Sequence, residues 1–453
     1  MMSGDARKTA LYILNRLDSG HKTLDSVLDE DFEGKDLLSR RDRALLYALV
    51  YGVLRWRGRL DWIIGHFSKT SLDRIRPDIL NILRLGLFQI MCLNRVPVSA
   101  AVNTSVELAK LFSAPWVVGF VNALLRNMAR GYKAVPLPDT DDQPVAALAA
   151  EKSFPDWLIK RWLNRFGLNE TIALCDAINT IPPITLRVNT LKTDRQTLTR
   201  SLVNEAKEIQ NTRHAPEGIC LHHLKEPISE MKSFQQGWFQ VQDEAAQLIT
   251  YLLNPQPDDT VLDACAGLGG KTGHIAQMMK NRGKIIAMDN DEKKLLQIGP
   301  EMLRLGVTIV ETLNYDLNVP LSRKRFKEFD RILVDAPCSG LGVMRRNPDT
   351  KWLSSKKNLG RFQKRQISFL ENLRHLVKPS GILAYAVCST EPEENEEVVK
   401  AFLNKQANFV MDKRPAGLPE KAYALVNQNG YFKTLPHLNN MDGFFSVRFR
   451  RIK

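Results

Sequence analysis

Five apolar segments, "TVLDACA", "KIIAMDN", "VTIVETLN", "FDRILVDAP" and "GILAYAVCS", alternate with helix-patterned stretches over residues 258–390. Parallel neighbours in a sheet need a crossover of a dozen or more residues, usually a helix, so this alternation predicts a parallel α/β sheet covered by helices. Sheets of that kind take their ligands at the carboxyl ends of the strands. The search for chemistry therefore begins at strand ends.

The rest of the chain follows other patterns. Over residues 1–135 apolar positions recur at helical spacing, in "RDRALLYALVYGVLRW", "PDILNILRLGLFQIMCL" and "WVVGFVNALLRNMARGY" among others, which predicts an all-helical N-terminal domain. "KAVPLPDTDDQP" reads as a linker, because its prolines and aspartates punctuate the periodic segments. Residues 148–245 read as a small mixed α/β domain, with "FPDWLIKRWLNRFG" helical and "PPITLRVNTLK" a strand. Residues 246–453 then form a Rossmann-like α/β domain. A chain of 453 residues exceeds the roughly 250–300 at which one core stops growing, in keeping with several domains.

Composition excludes several classes. Charged residues interrupt every apolar run before the ~18 residues a membrane span needs, and Arg7, Lys8 and Arg16 break the N-terminal segment, so neither a membrane protein nor a secreted one is expected. The expected location is the cytoplasm. Six cysteines with no CxxC pair and no histidine cluster argue against a metal site and a redox pair; no metal is expected. A net charge of +14 points to a polyanionic partner.

The first strand of the α/β domain runs into "DACAGLGGKTGHIAQMM", a glycine-rich turn opening a helix. Glycines 267, 269 and 270 let backbone approach a ligand, and the spacing is not that of a P-loop. Asp289 ends the second strand, near the ~20-residue offset at which a carboxylate meets ribose hydroxyls. Asp316 follows the third strand and Asp335 ends the fourth. A helix cap or solvated loop would explain any one of these; together they favour a nucleoside-type cofactor, either a dinucleotide or S-adenosylmethionine.

Two thiols at strand ends favour S-adenosylmethionine. The C5 carbon of a pyrimidine is a poor nucleophile, but a thiolate adding at C6 turns the ring into an enamine that attacks through C5. Cysteine suits that addition near neutral pH. Cys338, in "DAPCSG", and Cys388, in "AVCSTE", follow neighbouring apolar strands, and a second acid or base beside the attacking thiol would assist departure. Either thiol fits either role on these grounds. Asp335 would meet the N3 and N4 edge of cytosine.

Between the thiols, from Arg345 to Arg365, eight basic residues face the single Asp349, with Trp352 and Phe362 interleaved. Cations for phosphates and aromatics for bases suit a flexible RNA strand, and Arg345, Arg346, Lys351, Lys356 and Lys357 are the expected contacts. A base that is modified must leave its stack, which favours a single-stranded or looped cytosine.

"LDACAGLGGKT", "AMDNDEKKL", "LVDAPCSGLGVMRRNPDTKW" and "YAVCSTEPEENEEVV" resemble the motifs of the Nop/Sun RNA cytosine-C5 methyltransferases, in particular the bacterial Fmu/Sun type acting on 16S ribosomal RNA. "LLYALVYGVLRWRGRLDWII" is similar to the NusB-like RNA-binding domain of that subgroup, and "LRVNTLK", "VQDEAAQL" and "MDGFFSVRF" match as well. The resemblance implies that Cys265, Ala266, Gly267, Leu268, Gly269, Gly270 and Lys271 form the S-adenosylmethionine loop. It further implies that Asp289 binds the ribose, Asp316 lies at the adenine end and Asp335 stands between cofactor and base. On the same ground Cys388 is the nucleophile and Cys338 assists product release. Two positions depart from the usual pattern: Gly267-Leu268 replaces Ala-Pro, and Val387 replaces Thr.

Two rival readings are weighed. An exocyclic-amine RNA methyltransferase carries an Asp/Asn-Pro-Pro-aromatic turn where this chain has "DAPC", and it needs no second cysteine. A non-catalytic rRNA-binding or assembly factor would lack the nucleophile or a cofactor acid, and both are present.

Overall fold

The structure is a computed structural model that describes residues 5–20, 22–32, 38–112, 114–321 and 326–452. The first four residues of the expected N-terminal domain, and Lys453 at the other end, lie outside the described residues. The chain divides into two compact units, residues 1–180 with 344–355, and residues 181–343 with 356–453.

The first unit is helical, with α1 (Ala6–Ser19), α2 (Leu24–Phe32), α3 (Arg40–Phe67), α4 (Pro77–Cys92), α5 (Val98–Phe112), α6 (Pro115–Gly131), α7 (Pro144–Lys152) and α8 (Asp156–Asn179). Its helices start where the sequence supplies caps. Asp5 accepts from the Arg7 N–H at 2.9 Å, Ser39 accepts from the Asp42 N–H at 3.2 Å, and prolines open α4, α6 and α7. Every residue of α4 from Ile79 to Gln89 is buried, so this helix is the centre of the core. At Gly52 of α3 an added Cβ would lie 2.0 Å from the Phe88 ring, which is why α3 and α4 cross closely only with glycine there. Helix α8, expected to open the mixed domain, packs on α7, groups with the helical unit by contact and is broken at Gly167.

The second unit holds two sheets. The smaller is antiparallel, in the order β2-β3-β1-β4, formed by β1 (Ile184–Val188), β2 (Ala206–Asn211), β3 (Gly218–Leu224) and β4 (Phe239–Val241), with α9 (Arg195–Leu202) and α10 (Lys232–Gln235). Its own core joins Leu186, Val188, Leu198, Leu202, Leu221 and Phe239. It is also fastened to the larger sheet's domain: buried Arg187, bonded within its own sheet to Gln240 Oε1 at 2.6 Å, donates to the Gly270 carbonyl at 2.8 Å, and Asn189 donates to the Leu305 carbonyl at 2.7 Å. Burial pulls the Arg187 guanidinium down to about 9.

The larger domain runs α11 (Glu244–Leu253), β5 (Thr260–Asp263), α12 (Gly270–Met278), β6 (Lys284–Asp289), α13 (Glu292–Leu305), β7 (Val310–Asn314) and β8 (Phe329–Asp335). After α14 (Thr350–Leu353), which lies in the helical unit, come α15 (Lys356–Leu373), β9 (Val377–Val387), α16 (Glu396–Lys405), β10 (Phe409–Met411), β11 (Phe432–Lys433), α17 (Pro436–Asn439) and β12 (Phe445–Arg451). The sheet order is β10-β12-β9-β8-β5-β6-β7, with β11 on β12; the pairs from β9 through β7 are parallel, whereas β12 is antiparallel to β9. Successive strands run outward from β5 in one direction and return through β8 and β9 on the other side. The reversal opens a crevice at the carboxyl ends of β5 and β8, where ligands bind in such folds. The continuous burial of Gly381–Val387 in β9 explains its unbroken apolar sequence, since a central parallel strand is covered on both faces.

Residues 344–355 change the reading of the basic run. Lys351 is fully buried in the helical unit, where its Nζ donates to the carbonyls of Arg55 (3.2 Å) and Ser153 (3.3 Å) and to Asn179 Oδ1 (2.6 Å), above the Phe154 ring at 3.7 Å. Burial, with the Arg55 charge, pulls its amine well below the ordinary lysine value. Arg345 is also buried, bonded through Nε to Thr180 Oγ1 at 3.0 Å, and its carbonyl accepts from Arg55 at 2.8 Å. Trp352 donates to the Leu54 carbonyl at 2.7 Å. These side chains anchor the segment within the helical unit, so Arg345 and Lys351 are not available to phosphates as expected. Arg346 is half-buried, while Lys356 and Lys357 are exposed at the start of α15.

Candidate active site

Strand β5 delivers Asp263, whose fully buried carboxylate accepts from Thr272 Oγ1 of α12 at 2.7 Å and thereby ties strand to helix. Burial pushes this carboxyl up to about 7, with the Thr272 bond opposing and the charge of Asp335 adding. Between them the turn is made by Gly267 and Gly269, both left-handed (φ 54° and 81°). Asp289, at the end of β6, accepts from the Gly267 N–H at 2.9 Å and from the Asp291 N–H at 3.0 Å, holding the turn against the next strand. Leu268 stands at the tip, 54% exposed.

Beside this turn lies a cavity of about 270 Å³, lined by Cys265, Asp289, Tyr315, Asp316, Lys294 and Arg365 among others. Asp316 accepts from the backbone and side-chain N–H groups of Asn318, at 2.9 and 2.8 Å. The Nε of Arg365 is buried and has no hydrogen-bond acceptor among the described residues. Burial and the nearby Asp335 push the Cys265 thiol well above its ordinary value.

The thiols lie two strands along. Strands β8 and β9 are parallel with Asp335 opposite Ala386, and the Ala336 N–H donates to the Ala386 carbonyl at 2.9 Å. That register brings the following turns together, and Cys338 Sγ lies 3.1 Å from Cys388 Sγ. The Cys388 carbonyl accepts from the Gly342 N–H, and the Gly342 carbonyl accepts from the Gly443 N–H. A Cβ on Gly342 would lie 1.8 Å from the Gly443 oxygen, so this closure needs glycine at position 342. The hydrogen bond to Cys388, then burial, raise the Cys338 thiol well above its ordinary value, and the Glu394 carboxylate adds to the effect. Either sulfur can be the donor of this bond.

Asp335 receives the Lys271 ammonium at 2.5 Å. Burial alone would lower the Lys271 value, but the Asp335 charge and hydrogen bond outweigh it and the net shift is upward. Lys271 thus faces Asp335 at the thiol side of the turn. Val387 is fully buried in the apolar core.

Known proteins resemble this chain over its whole length. Sequence profiles match the NusB family at residues 4–130, an RsmF/B-like ferredoxin-like domain at 154–226 and the 16S rRNA methyltransferase RsmB/F domain at 250–450. A Bacillus subtilis protein, "Probable ribosomal RNA small subunit methyltransferase B", is 36% identical over 100% of both chains. The chain belongs to the ribosomal RNA small subunit methyltransferase B family. The Enterobacter sp. ribosomal RNA small subunit methyltransferase B is 33% identical over 91% of each chain. The crystal structure of PH0851 superposes with a TM-score of 0.81 at 25% identity, covering 100% of this chain and 99% of that one.

The family fixes the architecture as a NusB domain, a ferredoxin-like domain and a C-terminal methyltransferase domain with a mixed sheet. It also fixes the activity, S-adenosylmethionine-dependent methylation of ribosomal RNA. The cavity suits that cofactor chemically. Carboxylates at Asp289 and Asp316 offer acceptors for hydroxyl and amine donors, and the orphaned Arg365 Nε offers a donor to a carboxylate. The cofactor supplies an electrophilic methyl group on a sulfonium. Of the expected cofactor residues, Cys265, Asp289 and Asp316 line the cavity, Ala266 to Gly270 shape the turn, and Lys271 and Asp335 pair with one another.

Tyr315, Lys294 and Arg365 were not singled out for the cofactor from sequence; Arg365 is the last cation of the run assigned to RNA. No described helix is long and apolar enough to cross a membrane.

Proposed function

We propose that the chain methylates C5 of a cytosine in a single-stranded or looped part of 16S rRNA, in the cytoplasm, through a covalent adduct between Cys388 and C6. The observation that carries this reading is the pair of thiols 3.1 Å apart at the carboxyl ends of β8 and β9, beside the cofactor crevice. The Cys388 thiolate adds to C6, and the C5–C6 electron pair moves toward C5, which takes the methyl group. Asp335 accepts from the N4 amine of the cytosine, and Lys271 balances its charge. A water molecule takes the C5 proton, the C5–C6 double bond re-forms and the C6–sulfur bond breaks, so that Cys388 leaves as a thiolate to which the Cys338 S–H donates.

The test is transfer of a labelled methyl group from S-adenosylmethionine to unmodified 16S rRNA, followed by digestion and nucleoside mass spectrometry. Label in 5-methylcytidine is expected; label on another nucleoside would sink the thiol mechanism.

RNA contacts are proposed for the exposed face of α15, where Lys356, Lys357, Arg361 and Lys364 lie open to solvent. Removing one cation from a single-strand phosphate lowers the slope of log affinity against log salt by about 0.7. Lys356→Gln/Lys357→Gln should therefore bind rRNA on the order of tenfold more weakly at physiological salt, with a shallower salt dependence and unchanged S-adenosylmethionine affinity. A filter-binding titration at several salt concentrations checks this; an unaltered slope rules out α15 as a phosphate-contacting face.

A further inference from the structure

Glu394 lies in an acidic stretch, "EPEENEE", that reads as the solvated start of a helix, yet it is fully buried. Both of its carboxylate oxygens are engaged. Oε1 accepts from the Ser339 N–H at 2.8 Å and from Gln366 Nε2 at 3.2 Å; Oε2 accepts from the hydroxyls of Ser339 and Ser389, each at 2.5 Å. Ser339 directly follows Cys338, and Ser389 directly follows Cys388. The two hydroxyls lie 3.3 Å apart. The same residue's carbonyl accepts from Tyr385 Oη of β9 at 2.6 Å, and Gln366 also donates to the Pro337 carbonyl at 3.1 Å.

We propose that Glu394 is a positioning residue that clamps the two thiol-bearing turns together through Ser339 and Ser389 and so sets the distance between Cys338 and Cys388. The parallel register of β8 and β9 brings the turns near each other, but it ends at Asp335 and Ala386, before either thiol. Beyond that point the Gly342 N–H meets the Cys388 carbonyl directly, and Glu394 bonds to the serine that follows each thiol. Hydrogen bonds to an ionised acceptor are about twice as strong as neutral ones, and a buried carboxylate is retained only where its oxygens are satisfied. Burial raises the Glu394 carboxyl, while the serine and glutamine bonds hold it back. The carboxylate bonds to the serines that follow the thiols, and it acts through them.

The inference rests on the two-thiol reading of the site, and its test has a readout that does not require catalysis. Diamide takes two electrons and two protons from a pair of thiols, leaving a disulfide and the corresponding hydrazine, so the rate of Cys338–Cys388 closure reports their approach. In Glu394→Ala that rate should fall ~10-fold and methyl transfer ~100-fold, the scale expected for a misplacement of about 1 Å. The KM for S-adenosylmethionine should stay unchanged. Glu394→Gln should restore closure to within about threefold, because an amide fills the same four positions once the serine hydroxyls turn to accept.

If Glu394→Ala binds S-adenosylmethionine normally and closes its thiols at the wild-type rate, the clamp is wrong, whatever the nucleoside product. If Glu394→Ala does not fold, Ser339→Ala/Ser389→Ala decides: slower closure supports the clamp, and unchanged closure overturns it. A product other than 5-methylcytidine with slowed closure would instead overturn the proposed reaction and leave the clamp standing.

Discussion

Cys388→Ala is expected to reduce methyl transfer by on the order of 10⁴-fold or more, which corresponds to about 5 kcal/mol of barrier. The size follows from the chemistry, because without addition at C6 the C5 carbon has almost no nucleophilic character and no other step of the proposed cycle compensates. The nearest substitute is Cys338, at 3.1 Å. Its high thiol value comes first from the hydrogen bond to Cys388, so removing Cys388 partly frees it, and a trace of activity dependent on Cys338 is the expected residue. Cofactor affinity should be unaffected, since the cavity is lined from the ends of β5 and β6, the segment after β7, Pro337 and α15, and not by Cys388. Single-turnover transfer with equilibrium cofactor binding measured alongside checks this. Near-normal turnover would refute the nucleophile assignment.

The parts of the fold that could be read in the sequence are those where local pattern and burial agree. The Gly381–Val387 stretch of β9 is apolar because it is covered on both faces, and the turn at Gly267 and Gly269 needs left-handed backbone that glycine supplies at little cost. Lys351 was illegible for the opposite reason. A lysine within a basic run has the pattern of a solvated face, and only three acceptors from Arg55, Ser153 and Asn179, distant in sequence, reveal a buried anchor. Glu394 hid among acids in the same way.

The amphipathic pattern of α8 states that one face is covered without stating by what. It packs on α7 and so groups by contact with the first unit, while by family it belongs with the small sheet's ferredoxin-like domain. Arg187 fastens the small sheet to the cofactor turn through the Gly270 carbonyl, a contact between segments more than eighty residues apart that no local pattern encodes.

Cys338→Ala is expected to stall the enzyme after methyl transfer and to accumulate protein covalently bound to RNA. Once Cys388 is joined to C6, the cycle completes only when the C5 proton is lost and the sulfur departs as a thiolate. In the wild type the Cys338 sulfur lies 3.1 Å away, and the Cys388 contact and burial both favour its protonated form, so in the proposed cycle it donates to the departing sulfur. Alanine removes the donor and leaves a thiolate forming in a partly buried site without compensation, which favours the adduct over release. Addition and transfer precede this step and should proceed, so one equivalent of methyl group should reach the RNA in a burst before turnover ceases. A denaturing gel should show a slower band containing both protein and methyl label, absent in the Cys338→Ala/Cys388→Ala double variant because no nucleophile remains to form it. If the single variant gives no shifted band while turning over slowly, Cys338 acts before or during addition and not in release. The raised thiol would then be read as a donor that holds Cys388 in place for attack.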